Sequence, residues 1–199
     1  VTLAEDRLRG ARVRCLISPG NDDPPAIDAL LDASTVIENP EEEVADLGAG
    51  LSMVSCGIAN PTPWNSPREA SEEDLDSILH QRVAVAPDPH RAIFNFHVPP
   101  YETPLDVAPL LDATLKPVVR SGEVVTTHVG STAVREAIEE FQPLLGLHGH
   151  IHESRAVCRL KGSLCMNPGS EYHGGTLLGG LIQIDPKRAK IKHYQLVRG

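Results

Sequence analysis

The stretch "LLGLHGHIHES", residues 144–154, sets three histidines at alternate positions, His148, His150 and His152, directly behind an apolar run. A short apolar run of this kind reads as a buried strand, and residues two apart in a strand share a face. With the strand ending near Leu147, the imidazoles fall on the loop at its tip, where Gly149 permits a tight turn. Imidazole is the commonest side-chain ligand for zinc, manganese or iron, so a group of them at a strand tip forms a candidate metal site. The plain alternative is a polar loop with solvated histidines.

Two further loops have the same placement. "FNFHVPP" puts His97 at the carboxyl end of another apolar strand, and "SPGNDDPP" puts Asn21, Asp22 and Asp23 behind a strand and a glycine. Taken singly, the first is a structural histidine and the second a turn signal. Together they place oxygen and imidazole donors at the carboxyl ends of strands, where α/β folds hold their sites.

Around these loops, 199 residues suffice for one domain with a real core, and 41% hydrophobic with 23% charged residues is globular composition. A net charge of −9 speaks against strong nucleic-acid binding and against anionic membranes. A phosphorylated substrate stays compatible if metal ions supply the positive charge. No run approaches a membrane span. The four cysteines, Cys15, Cys56, Cys158 and Cys165, lack C-x-x-C spacing and read as reduced buried thiols, which points to the cytoplasm.

Along the chain, "LAEDRLRG" reads as part of a helix with Leu3 and Leu8 inward. A strand follows before Pro19-Gly20, then a helix over residues 25–32. The acidic run 41–43 reads as a solvated turn. Ser71 caps a helix reaching about Arg82, and Ser131 begins another that Pro143 stops. Residues 101–122, long and proline-rich, read as an ordered functional loop, and Trp64 and Tyr101 as residues able to line a pocket. The last third reads as a run of strands. The whole predicts an α/β fold, a mixed β-sheet sandwich flanked by helices.

Gly20-Asn21-Asp22-Asp23, then His97 before Pro99-Pro100, then Gly149-His150-Ile151-His152, with Asn167-Pro168-Gly169-Ser170 behind, resembles the calcineurin-like metallophosphoesterases. Their motif order is D-x-H, G-D, G-N-H-[DE], a lone His and G-H-x-H. A metallo-β-lactamase centre, H-x-H-x-D-H, is set aside because His152-Glu153 supplies no Asp-His. The resemblance implies an α-β-β-α fold and a metal-dependent hydrolase of phosphomonoesters or phosphodiesters. Asn21, His97 and His150 would hold one ion and His152 another, the ions being Mn²⁺, Fe or Zn²⁺. His148 would be either an outer contact to a ligand or a third ligand. Asn167 to Ser170 would shape a turn beside the metal loop.

The chain departs from that pattern in two ways. Nineteen residues precede Gly20 and contain neither D-x-H nor G-D. The expectation is therefore a single domain, residues 1–199, N-terminally truncated and missing its first β-α-β segment. It would hold at most one ion where a complete site holds two. Loss of that unit is expected to bare apolar edges along residues 13–17 and 93–96, and so to favour a homo-oligomer. An alternative follows: a non-catalytic remnant acting as a metal-binding or protein-interaction module. Second, Asp22 stands where the family has a His. Either it takes a catalytic place beside the metal, where a carboxylate is a poor proton donor, or it caps the following turn. His128, ahead of Gly130 and Ser131 at a helix start, is a candidate substrate-binding residue for phosphate, with ordinary capping by Ser131 as the alternative.

Overall fold

The computed structural model describes residues 1–41 and 43–199. The chain opens with α1 (Thr2–Leu8), β1 (Cys15–Leu16), α2 (Ala26–Asp32) and β2 (Ile37–Glu38). β3 (Ala45–Gly48), β4 (Leu51–Cys56), α3 (Glu72–Ala84) and β5 (Ala92–Phe96) follow. An arm then carries β6 (Val107–Pro109), β7 (Val119–Arg120), β8 (Glu123–Val124) and β9 (Thr126–His128). After α4 (Thr132–Phe141) come β10 (Leu145–Leu147), β11 (Ala156–Leu160), β12 (Ser163–Asn167), β13 (Leu178–Asp185) and β14 (Lys190–Arg198).

One six-stranded mixed sheet organises the molecule, in the order β11-β12-β10-β5-β4-β3. Its four inner strands, β12, β10, β5 and β4, run parallel, and β11 and β3 pair antiparallel at the edges. The expected α/β class, a mixed sheet flanked by helices, is what is found.

Alternation along β5 divides the core. Phe94 and Phe96, fully buried with ring centroids 4.7 Å apart, face α3 and α4. There they meet Leu75, Leu79 and Val83, which recur every fourth residue along α3, and Val134 and Ile138 of α4. Burying each such side chain contributes roughly 1.5–3 kcal/mol. Ile93, on the opposite face, packs with Leu145 and Leu164 against Ile182, Ile184 and Ile191 of the β13–β14 hairpin. Ser71 caps α3, its side chain accepting from Asp74 N, and Ser131 caps α4 by accepting from Val134 N.

Four expectations are corrected. Residues 93–96 are not an edge: β5 lies between β4 and β10, so its backbone is paired on both sides. Self-association therefore draws no support from them, although Val13 and Ile17 are exposed. Leu3 does not point inward, being 71% exposed, and α1 buries no residue because it is too short to pack a stripe. Glu41 is not a solvated turn residue; Glu42 lies outside the described residues. The buried Glu41 carboxylate pairs with Arg82 at 2.5 Å and accepts the Gly57 N–H. Of the four thiols only Cys56 and Cys165 are buried, with Cys158 and Cys165 directly opposite across β11 and β12. Among the described residues no helix is long and apolar enough to cross a membrane.

Candidate metal centre

Parallel strands deliver their carboxyl ends to one side of the sheet, and His97 and His150 follow the ends of the neighbouring strands β5 and β10. The turn after β1 brings Asn21 between them. Asn21 Oδ1 lies 2.8 Å from His97 Nε2 and 3.0 Å from His150 Nδ1, and the two rings are 5.2 Å apart. One amide oxygen thus faces two imidazole nitrogens, each from a different loop.

The amide is held in that orientation. Asn21 is buried, and its Nδ2 donates to Ser66 Oγ at 2.8 Å and to Asp22 Oδ1 at 3.2 Å. Ser66 Oγ in turn donates to Asp22 Oδ1. Arg68 secures the same turn from behind. Its backbone N–H donates to Asn21 O, and its guanidinium reaches Asp23 O, Pro24 O and the Asp28 carboxylate. Gly20 completes the fit, since a Cβ there would stand 2.7 Å from His97 Cε1. Asp22 does not cap the turn. Asp23 does so, accepting from Gly20 N, while Asp22 turns to Asn21 and Ser66.

His150 adopts φ +62°, a left-handed backbone uncommon for a residue with a side chain. Asn167 imposes it: Nδ2 donates to Gly149 O at 3.1 Å and Ile151 O at 2.9 Å, the carbonyls on either side of His150. Its Oδ1 accepts from Gly169 N, so the Asn167–Ser170 turn does shape the histidine loop. His148 turns inward and is not a third donor but an outer contact to the backbone around His97. Its Nδ1 donates to Phe96 O and Val98 O, the carbonyls bracketing His97, and its buried Nε2 has no hydrogen-bond partner among the described residues.

Burial lowers the His97 pKa to about 3, with the neighbouring His150 adding to the effect and Asp22 opposing it. Burial also lowers His150 and brings His148 to about 4. These imidazoles are therefore neutral at ordinary pH, the state in which a ring nitrogen can ligate. The donor set of one amide oxygen and two neutral imidazole nitrogens suits a borderline divalent ion. Asn21, His97 and His150 thus fit such an ion by the chemistry of their facing atoms.

His152 lies to one side, exposed, with its ring 5.5 Å from Tyr172. It is near enough to act electrostatically on His97 and His150. Among the described residues no three His, Cys, Asp or Glu side chains gather around a common point, so the amide of Asn21 is needed to complete a set of three.

These residues form one wall of a cavity of about 1090 Å³. The arm forms another wall of it, through Pro109, Leu110, Leu115 and His128, and Tyr101 and Trp64 also line it. Of residues 101–122, Tyr101, Ala108 to Leu111, Leu115 and Pro117 line the cavity. His128 lines the same cavity as Asn21. The α4 N–H groups beside it are already engaged: Gly130 N by Asp106, Ser131 N by Pro99 O, Ala133 N by Glu72 and Val134 N by Ser131. A phosphate at that helix start would have to displace them. Ser66, Arg68 and Asp106 carry no signal in the sequence, because each acts through a fold-dependent partner more than twenty residues away.

No family profile matches the chain. It is 30% identical over 156 residues to the uncharacterized protein MJ1162 of Methanocaldococcus jannaschii, covering 77% of this chain and 62% of that protein. The chain thus spans about 62% of the length of the curated relative it matches. The crystal structure of TT1561 of Thermus thermophilus superposes with a TM-score of 0.60 at 19% identity, over 98% of this chain and 75% of that one. A second crystal structure gives 0.64 at 19% identity, over 99% and 71%. At such identity the likeness is one of fold.

Proposed function

We propose that the chain is a metallophosphoesterase-type hydrolase, binding one divalent ion (Mn²⁺, Fe or Zn²⁺) through Asn21, His97 and His150. The observation that carries this reading is the approach of two buried, neutral imidazoles from adjacent strand ends to one oriented amide oxygen. A divalent ion there would supply charge to offset phosphoryl oxygens and acidify water. The chain's own residues orient and exclude. Ser66 and Asp22 fix the amide, Asn167 fixes His150, and His148 fixes the backbone on either side of His97. Asp22, exposed and anionic, serves the site by holding Asn21 rather than by donating a proton. The substrate is a small phosphomonoester or phosphodiester in the large cavity, with its apolar part against Trp64 and the arm. His152 belongs to a second ion position that the described residues alone do not complete.

A second reading has its own support. Since no three His, Cys, Asp or Glu side chains gather among the described residues, a single weakly held ion and a role in protein contacts would suit the chain as well. One experiment separates the two. The metal-free chain is titrated with Mn²⁺ and Zn²⁺, then assayed on p-nitrophenyl phosphate and bis-p-nitrophenyl phosphate. The hydrolase reading expects one equivalent bound and metal-dependent turnover, both lost in His150→Ala. Binding without turnover supports the second reading, and no binding at millimolar metal contradicts both.

A further inference from the structure

The arm buries a carboxylate that the metal centre does not use. Asp106 is fully buried and accepts four hydrogen bonds. Oδ2 takes Glu102 N and Gly130 N, both at 3.0 Å; Oδ1 takes Thr103 N at 2.9 Å and His128 Nδ1 at 2.7 Å. The strand register explains the meeting. Val107 of β6 is paired with His128 of β9, so the residue before Val107 is carried to the imidazole. Gly130 is required for the packing, because a Cβ there would stand 2.9 Å from Asp106 Oδ2.

A buried carboxylate is costly unless its lone pairs are satisfied, and three backbone N–H groups go far towards stabilising one. The fourth bond fixes a ring at the cavity wall. With the Nδ1 proton given to Asp106, the remaining nitrogen, Nε2, exchanges protons. No contact to Nε2 is found among the described residues. The ring lies half exposed on the cavity that also holds Asn21, His97 and His150, with Tyr101 edge-on at 6.0 Å.

We infer that His128, oriented by Asp106, is the proton donor to the leaving oxygen of the phosphoester. This rests on the hydrolase reading above. As water adds its oxygen to phosphorus, the bond to the ester oxygen breaks and its electron pair stays on that oxygen. The donor form is the imidazolium, with Nδ1–H on Asp106 and a second proton, taken up from solvent, on Nε2. The ester oxygen takes the Nε2 proton and leaves the neutral Nδ1–H ring, and the proton lost by the water passes to solvent, so alcohol and phosphate leave. Asp106 is a positioning residue. Its hydrogen bond to Nδ1 keeps the ring from turning.

The test uses the full chain and the His128→Gln variant, which leaves the buried Asp106 in place. Long-range ¹H–¹⁵N correlation should show the neutral form of His128 as the Nδ1–H tautomer, the form to which a proton adds at Nε2 to make the donor, and inorganic phosphate should shift its Nε2 resonance in the metal-loaded chain. An Nε2–H tautomer, or no shift at saturating phosphate, overturns the inference. In turnover, His128→Gln should slow phenyl phosphate at least about tenfold more than p-nitrophenyl phosphate, because only the poorer leaving group needs the proton. Equal losses on the two esters overturn the donor role and leave a structural one. If the parent chain turns over neither ester with metal, the hydrolase reading fails and the donor role, which depends on it, falls with it. The tautomer and phosphate readings then show only whether the oriented pair and its anion contact exist.

Discussion

The two walls of the cavity are built differently. One is made at the carboxyl ends of parallel strands: β5 and β10 fix the spacing of His97 and His150, and the Asn21 turn rests between them. The other is made by an arm of two- and three-residue strands whose organising group is a single buried carboxylate, Asp106. The first wall inherits its geometry from the sheet and presents neutral nitrogens. The second gets its geometry from side-chain hydrogen bonds and presents one titratable ring. On this account the first wall holds the ion and the second handles the proton.

The largest expected effect separates the walls outright. His150→Ala should weaken Zn²⁺ binding by more than about a hundredfold, beyond the ~10–100-fold span of changes that merely loosen a ligand. His128→Gln should leave that affinity unchanged. Calorimetric titration of both variants reads the difference, and a shared loss would mean that the walls are one unit.

Next is the response to acid. His97 and His148 titrate near 3 and 4 in the folded chain, whereas an unfolded imidazole titrates near ~6.5. Below that value the unfolded chain takes up protons that the folded chain refuses. Stability should therefore be level above about pH 6.5 and fall as the pH drops towards 4, by up to about 1.4 kcal/mol per pH unit for each histidine. Urea unfolding of the metal-free chain at pH 7.5 and pH 5 measures this. Equal midpoints would show that the strand-end wall is less buried than described.

Asn167→Ala removes the clamp on the carbonyls flanking His150. Metal affinity should drop by roughly tenfold, and the unfolding free energy by about 1–3 kcal/mol for the buried acceptors left unpaired. The smallest effect should come from Ser66→Ala, which frees one amide hydrogen of Asn21. The loss is about 0.5–1.5 kcal/mol, seen as a severalfold weaker Zn²⁺ titration with unchanged stoichiometry.

The same contrast explains what the sequence made legible. The strand-end donors were visible because an apolar run ending in a histidine is a local pattern, and the order Asn21, His97, His150 survives in the linear chain. The helices over α3 and α4 were visible through their Ser71 and Ser131 caps. The central position of β5 was not, since pairing partners are chosen across the fold and not along it. Asp106 was hidden among prolines and leucines, and only the β6–β9 register carries it to His128. Glu41 misled for a related reason. A run of acids reads as solvent-facing until Arg82, from a distant helix, provides the burial partner.

The most direct test of the account is anomalous diffraction from crystals of this chain grown with Zn²⁺. The expected result is a single strong peak at about 2.0–2.2 Å from Asn21 Oδ1, His97 Nε2 and His150 Nδ1. A peak that avoids those three atoms, or their unchanged mutual contact at saturating zinc, would contradict it.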